Sequence, residues 1–262
     1  MLEPASSPQP SRPQTALPDT AAPDTNPPET APADGDGAQR HTDVLVIGGG
    51  APPPLALRAL LRPADQVICA DRGYAHALAL GLTPTVLIGD FDSLAPVDLD
   101  RARAAGVSVE AYSPEKDATD LELALDRAMT GNTRVLRITV VATPDVGERI
   151  DHLLSQLALL AAPKYADAEL LAWFGSACVQ IVHPARTVAI QGRPGELVTL
   201  LAIGGVATGV TTTGLTYALR DESLSPFSTR GVSNVLFNTS ATISVAGGCL
   251  AIVRPHAMED NS

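Results

Sequence analysis

Short apolar runs alternate with amphipathic stretches along most of this chain. Val44-Leu45-Val46-Ile47 is a buried-strand pattern closed by Gly48-Gly49-Gly50. Helical spacing follows over residues 55–61, 74–80, 96–105, 121–129 and 152–162, with strand-like runs between them at 66–70, 85–88, 107–111 and 135–141. That is the βαβ rhythm of a parallel sheet flanked by helices. Leu153, Leu154, Leu157, Leu160 and Ala161 form a stripe at helical spacing and are expected in the core. After about residue 176 the period shortens to β-rich runs cut by Gly, at 178–182, 187–190, 197–203, 208–212, 216–219, 241–245 and 250–253. Runs of that length and spacing predict an all-β sandwich or jelly-roll-like unit. The fold class expected is therefore α/β, a parallel-sheet Rossmann-like nucleotide domain followed by an all-β sandwich domain. Their boundary is expected between residues 168 and 176.

Composition changes this picture at the ends. Residues 1–40 hold nine of the 22 prolines and no Val, Ile or aromatic residue, which predicts a disordered Pro/Ala-rich tail. The expected division is a tail at 1–40, an α/β domain at 41–172, a β domain at 173–256 and a short tail at 257–262. The formal charge is −11, and the tail carries six of the acidic residues against two arginines, so the folded body is still acidic and a poor match for nucleic acid. Cys69, Cys178 and Cys249 stand singly, with no Cys-x-x-Cys spacing, which favours neither a disulfide framework nor a zinc site and fits a reducing cytoplasm. Neither a signal peptide nor a membrane-spanning run is expected.

The chemistry concentrates where predicted strands end. The run at residues 85–88 stops in Gly89-Asp90-Phe91-Asp92-Ser93, and residues i and i+2 of an extended chain project to one side. Asp90 and Asp92 therefore suit one hard cation such as Mg²⁺, while an Asp-rich turn satisfying local N–H groups explains the same residues without function. Lys116-Asp117-Ala118-Thr119-Asp120 opens a predicted helix. Asp117 as its cap and Asp120 favoured by the helix dipole compete with a phosphate seat in which Lys116 and Thr119 take part. Gly147-Glu148-Arg149-Ile150-Asp151-His152 lies between a strand and a helix; Arg149 suits phosphate oxygens, and Asp151 suits a helix cap. Ala70-Asp71-Arg72-Gly73 is a fourth strand end. If the strands are parallel, all four converge on one sheet edge, where such sheets bind ligands. Gly48-Gly49-Gly50 lacks dinucleotide or P-loop spacing and reads as a plain strand-to-helix turn.

Taken in order, Ala70-Asp71-x-Gly73, Gly89-Asp90-Phe91-Asp92-Ser93, Lys116-Asp117-x-Thr119-Asp120, Gly147-x-Arg149-x-Asp151-His152 and Ser233-Asn234 resemble the motif series of the thiamine pyrophosphokinase family across residues 44–253. The resemblance implies a homodimer with sites at the subunit interface. It also implies Mg²⁺-dependent transfer of diphosphate from ATP to the hydroxyl of thiamine, releasing AMP. Asp90, Asp92 and Asp120 then look like catalytic and metal-binding carboxylates. Asp71, Gly73, Lys116, Asp117, Thr119, Arg149, Asp151 and His152 look like nucleotide contacts, and Ser233 and Asn234 like thiamine contacts. The chain departs from the family at Arg72, where a Gly is usual, and at Glu148. Its single Trp, Trp173, precedes the β-rich runs, leaving Tyr217, Phe227 or Phe237 to stack on the pyrimidine. Another alcohol acceptor, such as a pterin, keeps the same metal motifs, and a catalytically silent nucleotide-binding relative is a third reading. Clustered carboxylates repel one another without a cation, which weighs against silence.

Overall fold

Six parallel strands build one half of a long sheet: β1 (Thr42–Ile47), β2 (Gln66–Ala70), β3 (Val86–Gly89), β4 (Ser108–Ala111), β5 (Leu136–Ala142) and β6 (Ala168–Phe174). The computed structural model describes residues 41–131, 136–143 and 149–260. Between these strands run α1 (Gly73–Ala79), α2 (Pro96–Ala104), α3 (Asp120–Met129) and α4 (Ile150–Leu160). Eight further strands follow: β7 (Ala177–Val182), β8 (Thr187–Gln191), β9 (Leu197–Ala202), β10 (Ala207–Thr213), β11 (Glu222–Leu224), β12 (Asn234–Val235), β13 (Ser240–Ser244) and β14 (Leu250–Arg254). A last helix, α5, spans Ala257–Asp260. The sheets are ten-stranded, in the order β12-β9-β14-β7-β6-β5-β1-β2-β3-β4, and four-stranded antiparallel, in the order β11-β10-β13-β8.

β1 reads as an unbroken apolar run because it is buried on both faces. Val44 and Val46 pack with α3 residues Leu121, Ala124 and Leu125, while Leu45 and Ile47 pack on the other face with Leu57, Tyr74 and Ala102. In the β half, Val179, Ile181 and Ala251 of β7 and β14 continue the α/β core, while Val182, Leu250 and Ile252 on the opposite face of the same strands turn to the small sheet. Val198, Leu200, Leu250 and Ile252 of the long sheet meet Ile190, Val210, Ala241 and Ile243 of the small one. Each fully buried Leu or Ile in these clusters contributes about 1.5–3 kcal/mol. The architecture is thus mixed α/β with an antiparallel, sandwich-like region, and the two parts share one backbone ladder: β6 pairs antiparallel with β7 from Leu171↔Gln180 to Phe174↔Ala177. The segment in which a boundary was expected is largely β6.

Three expectations need correction. Residues 55–61 form a 3-10 helix, Leu55–Leu60, and not an α-helix; its first closure is Leu57 N–H to the Pro54 carbonyl. Residues 216–219 form no strand; Leu219 instead turns back onto Thr212 through its backbone N–H and carbonyl, and the strand appears later as β11. The α4 stripe is only partly core. Leu160 is buried and Leu153, Leu157 and Ala161 are half-buried, but Leu154 is 61% exposed, as is Ile150 at 59%. Helical periodicity identifies an apolar face without saying what covers it. Among the described residues no helix is long and apolar enough to cross a membrane.

Candidate active site

β1 has β2 on one side and β5 on the other: the chain runs outward from β1 through β2, β3 and β4, then returns past β1 to form β5 and β6 on its other side. A crevice opens at such a reversal, outside the carboxyl ends of the strands. Here it is a cleft of about 600 Å³ whose walls include Gly48 to Ala51 after β1, Asp71 and Arg72 after β2, Asp92 and Ser93 after β3, and Ala142 and Thr143 at the end of β5. The first turns of α3 and α4 add Thr119, Asp120, Arg149 and His152. The triple-glycine loop is bonded to β5 and its extension: Gly48 N–H donates to the Val141 carbonyl at 2.8 Å and Ala51 N–H to the Thr143 carbonyl at 2.7 Å. Its place in the cleft wall was missed because it matches no phosphate-loop spacing; the signal was its position directly after the first strand.

Backbone strain gathers at the carboxylates. Asp71 and Phe91 both have positive φ, 45° and 62°, and Gly89 has φ 151° with a β-carbon position that would overlap the Asp71 carboxylate. Asp71 is buried, and its Oδ1 accepts from Phe91 N–H at 3.1 Å. The Asp90 Oδ1 accepts from Asp92 N–H at 3.2 Å, an Asx-type turn. One oxygen from each of Asp71, Asp90 and Asp92 falls within 4.8 Å of the others. This acceptor-only oxygen set fits a hard divalent cation. The family resemblance implies Asp90, Asp92 and Asp120 as the metal set and Asp71 as a nucleotide contact. Asp71 stands with the pair, and Asp120, whose charge acts on Asp71, is tied to Asp90 through Lys116.

Lys116 lies between two of the acids, with Nζ 3.0 Å from Asp90 Oδ2 and 2.8 Å from Asp120 Oδ1. Its hydrogen bond, with that of Asp92 N–H, holds the Asp90 carboxyl below the usual range. Burial works against the Lys116 charge, but the bonds to Asp120 and Asp90 outweigh it and raise its pKa. Burial, followed by the hydrogen bond and charge of Asp120, pushes Asp71 up from 3.8 to about 7. Between those pH values the folded chain keeps a proton that the unfolded chain has released, so this group's contribution to stability falls as pH rises from about 4 to about 7 and is flat above. We expect Asp71→Asn to stabilise the metal-free protein relative to the parent at pH 8 more than at pH 5, read by urea unfolding in chelator. Equal differences at the two pH values would refute the assignment.

Other expected residues fall in different places. Thr119, not Asp117, caps α3, its Oγ1 accepting from Glu122 N–H at 3.3 Å; Asp117 is exposed and precedes the helix. Gly73 is buried at the start of α1 against the Ile47 carbonyl, a packing position. Arg149 precedes α4 and grips Asp151 with both Nε (3.1 Å) and Nη2 (3.0 Å), and it also contacts His152. That grip holds Asp151 down to about 2. Asp151 lies in the first turn of α4, after the capping position at Arg149. Gly147 and Glu148 lie outside the described residues.

Neither Ser233 nor Asn234 lines this cleft in the single chain. Ser233 has φ 59° and its N–H donates to Thr199 Oγ1. Asn234 is 4% exposed and its amide is consumed by backbone: Oδ1 accepts from Tyr217 N–H (3.0 Å) and Val235 N–H (2.8 Å), and Nδ2 donates to the Tyr217 carbonyl (2.8 Å). Asn234→Ala leaves three part-buried backbone groups without their partner, so a loss of about 2 kcal/mol is expected on urea unfolding. An unchanged midpoint would show that these bonds do not hold the Tyr217 segment. Tyr217, Phe227 and Phe237 are all exposed.

Residues 57–172 match the thiamin pyrophosphokinase catalytic domain, and residues 184–250 match the thiamin pyrophosphokinase vitamin B1 binding domain. The chain is 27% identical to a thiamine pyrophosphokinase of Bacillus subtilis over 187 residues, 71% of this chain and 86% of that protein. The solved structure of thiamine pyrophosphokinase from Bacillus subtilis superposes with a TM-score of 0.69 at 25% identity, covering 81% of this chain and 98% of that one. A thiamin pyrophosphokinase structure from Geobacillus thermodenitrificans gives a TM-score of 0.66 at 29% identity, with 81% and 97% covered.

Proposed function

The chain belongs to the thiamine pyrophosphokinase family, and on that premise we propose that it moves the terminal diphosphoryl group of ATP to the hydroxyl of thiamine, giving thiamine diphosphate and AMP. The observation that carries this reading is the meeting of three carboxylates, one oxygen from each within 4.8 Å, at the cleft where the sheet order reverses. Asp71, Asp90 and Asp92 would hold Mg²⁺, with Asp120 beside them. Bound there, the cation neutralises phosphate charge and polarises the phosphorus under attack.

The protein's own groups do the rest by position and charge. The Gly48 to Ala51 loop gives backbone close access to a ligand, and Arg149 offers a permanent cation to the transferred group. Thr119, Asp151 and His152 line or support the nucleotide side, and Lys116 pairs with Asp90 and Asp120. Such a transfer depends on alignment and electrostatics more than on a strong base.

Residues 41–172 form, in this reading, a Rossmann-like catalytic part, and residues 173–256 a thiamine-binding and dimerisation part. Ser233, held in the left-handed region, and the Tyr217, Phe227 and Phe237 rings fit an aminopyrimidine brought against a second copy's cleft; Asn234 acts by holding Tyr217 in place. The exposed Ile150 and Leu154 of α4 are further apolar surface that a homodimer can cover. Three free, buried cysteines suit the cytoplasm this reading expects.

The test is to incubate the purified chain with thiamine, ATP and Mg²⁺ and to quantify AMP, ADP and thiamine diphosphate together. Equimolar AMP and thiamine diphosphate are expected. ADP in place of AMP would overturn the diphosphoryl step, and AMP without thiamine diphosphate would move the acceptor elsewhere.

A further inference from the structure

The cations of the cleft differ in one respect. Lys116 is committed to Asp90 and Asp120, and Arg149 to Asp151 and His152. Arg72 lines the same cleft, is exposed, and among the described residues its guanidinium makes neither a hydrogen bond nor an ion pair. This is unusual for its surroundings, because it directly follows Asp71 in the chain, and Asp92, Asp120 and Glu122 face the same space. A guanidinium within reach of a carboxylate ordinarily forms a two-point pair with it.

Arg72 is also held in place by its neighbours. Its backbone packs against Gly49, where a β-carbon would lie 3.3 Å from the Arg72 nitrogen and 3.5 Å from the Arg72 β-carbon. The glycine loop and Arg72 therefore make one continuous piece of cleft wall.

A polyphosphate entering this cleft meets four acidic side chains on its lining, Asp71, Asp92, Asp120 and Glu122. One divalent cation offsets only part of the combined negative charge, and Arg149 arrives already paired. We propose that Arg72 is a phosphate-binding residue of this chain, its uncommitted guanidinium taking non-bridging oxygens of the nucleoside triphosphate from the glycine-loop side. The proposal rests on the nucleotide reading above and adds the residue that lets an acid-lined cleft accept so anionic a ligand.

Calorimetric titration separates the two claims. The probes are Mg²⁺ with an ATP analogue whose α–β bridge is methylene, and adenosine, each added to the full chain and to Arg72→Gln and Arg72→Lys. We expect Arg72→Gln to weaken the analogue by about 10-fold to 100-fold, the range of a charge-assisted hydrogen bond. Adenosine binding and the thermal midpoint should stay unchanged, and Arg72→Lys should recover part of the loss. In turnover, KM for ATP should rise while KM for thiamine holds. Equal analogue affinity in the parent and in Arg72→Gln would overturn the assignment and leave the nucleotide reading standing. Tighter binding by Arg72→Gln would also overturn it, by showing that the side chain obstructs the cleft. Failure of the parent chain to bind the analogue at all would overturn both.

Discussion

Asp92→Asn is expected to lower diphosphoryl transfer by about 10³-fold while leaving the fold intact. The two halves of that expectation have separate grounds. Asp92 is exposed and lines the cleft, so exchanging one oxygen for an NH₂ changes stability by no more than about 0.5 kcal/mol. The same exchange removes a negative charge from the three-carboxylate set and points a donor where a cation would sit. Its main-chain N–H still donates to Asp90, so the turn keeps its shape. Initial rates of AMP formation at saturating ATP and thiamine, with urea unfolding of the same preparation, check both halves. Turnover within a few-fold of the parent would remove Asp92 from the machinery. Equal loss of rate and of stability would make the effect structural.

Gly73→Ala should be the most damaging small substitution in the α/β part, costing about 3 kcal/mol or more. An added methyl at this buried position would overlap the Ile47 carbonyl oxygen and come within 2.8 Å of its carbon and 3.2 Å of the Gly48 carbonyl carbon. Neither neighbour is a flexible side chain that can swing aside. The helix α1 would have to lift from the end of β1, carrying Arg72 and Asp71 with it, so nucleotide affinity should fall together with stability. Gly205→Ala is the control, since nothing lies within 4 Å of its β-carbon position and its φ is ordinary. A Gly73→Ala midpoint as close to the parent as that of Gly205→Ala would disprove the close-approach argument.

Much of the α/β half was legible because both of its signals are local. Strands buried on two faces read as apolar runs, and Gln66–Ala70 was bounded to the residue from Val67, Ile68 and Cys69 alone. Carboxylates placed just past such runs were bound to share an edge once the strands were parallel. What stayed hidden depends on neighbours distant in sequence. No local pattern says that Asp71 turns its carboxyl toward Phe91 N–H and stands with Asp90 and Asp92, because that follows from β2 and β3 lying side by side. Asn234 has the composition of a ligand-reading side chain, yet the Tyr217 backbone, 17 positions away, consumes its amide. The α4 stripe was judged by its spacing, which carries no information about whether another surface meets it. Thr119 takes the capping role expected of Asp117 because the helix begins two residues later than an Asp117 cap would start it.

The ladder joining β6 to β7 has a mechanical meaning. With ten strands hydrogen-bonded in one sheet across the change from parallel to antiparallel, there is no linker about which the catalytic and β parts can swing. Bending there would break backbone bonds, whose cost far exceeds thermal energy. Opening and closing of the cleft therefore falls to its loops and helix ends, and the two parts should melt in one step. A fragment stopped after the parallel strands would present β6 as a bare edge, a template for the wrong partner.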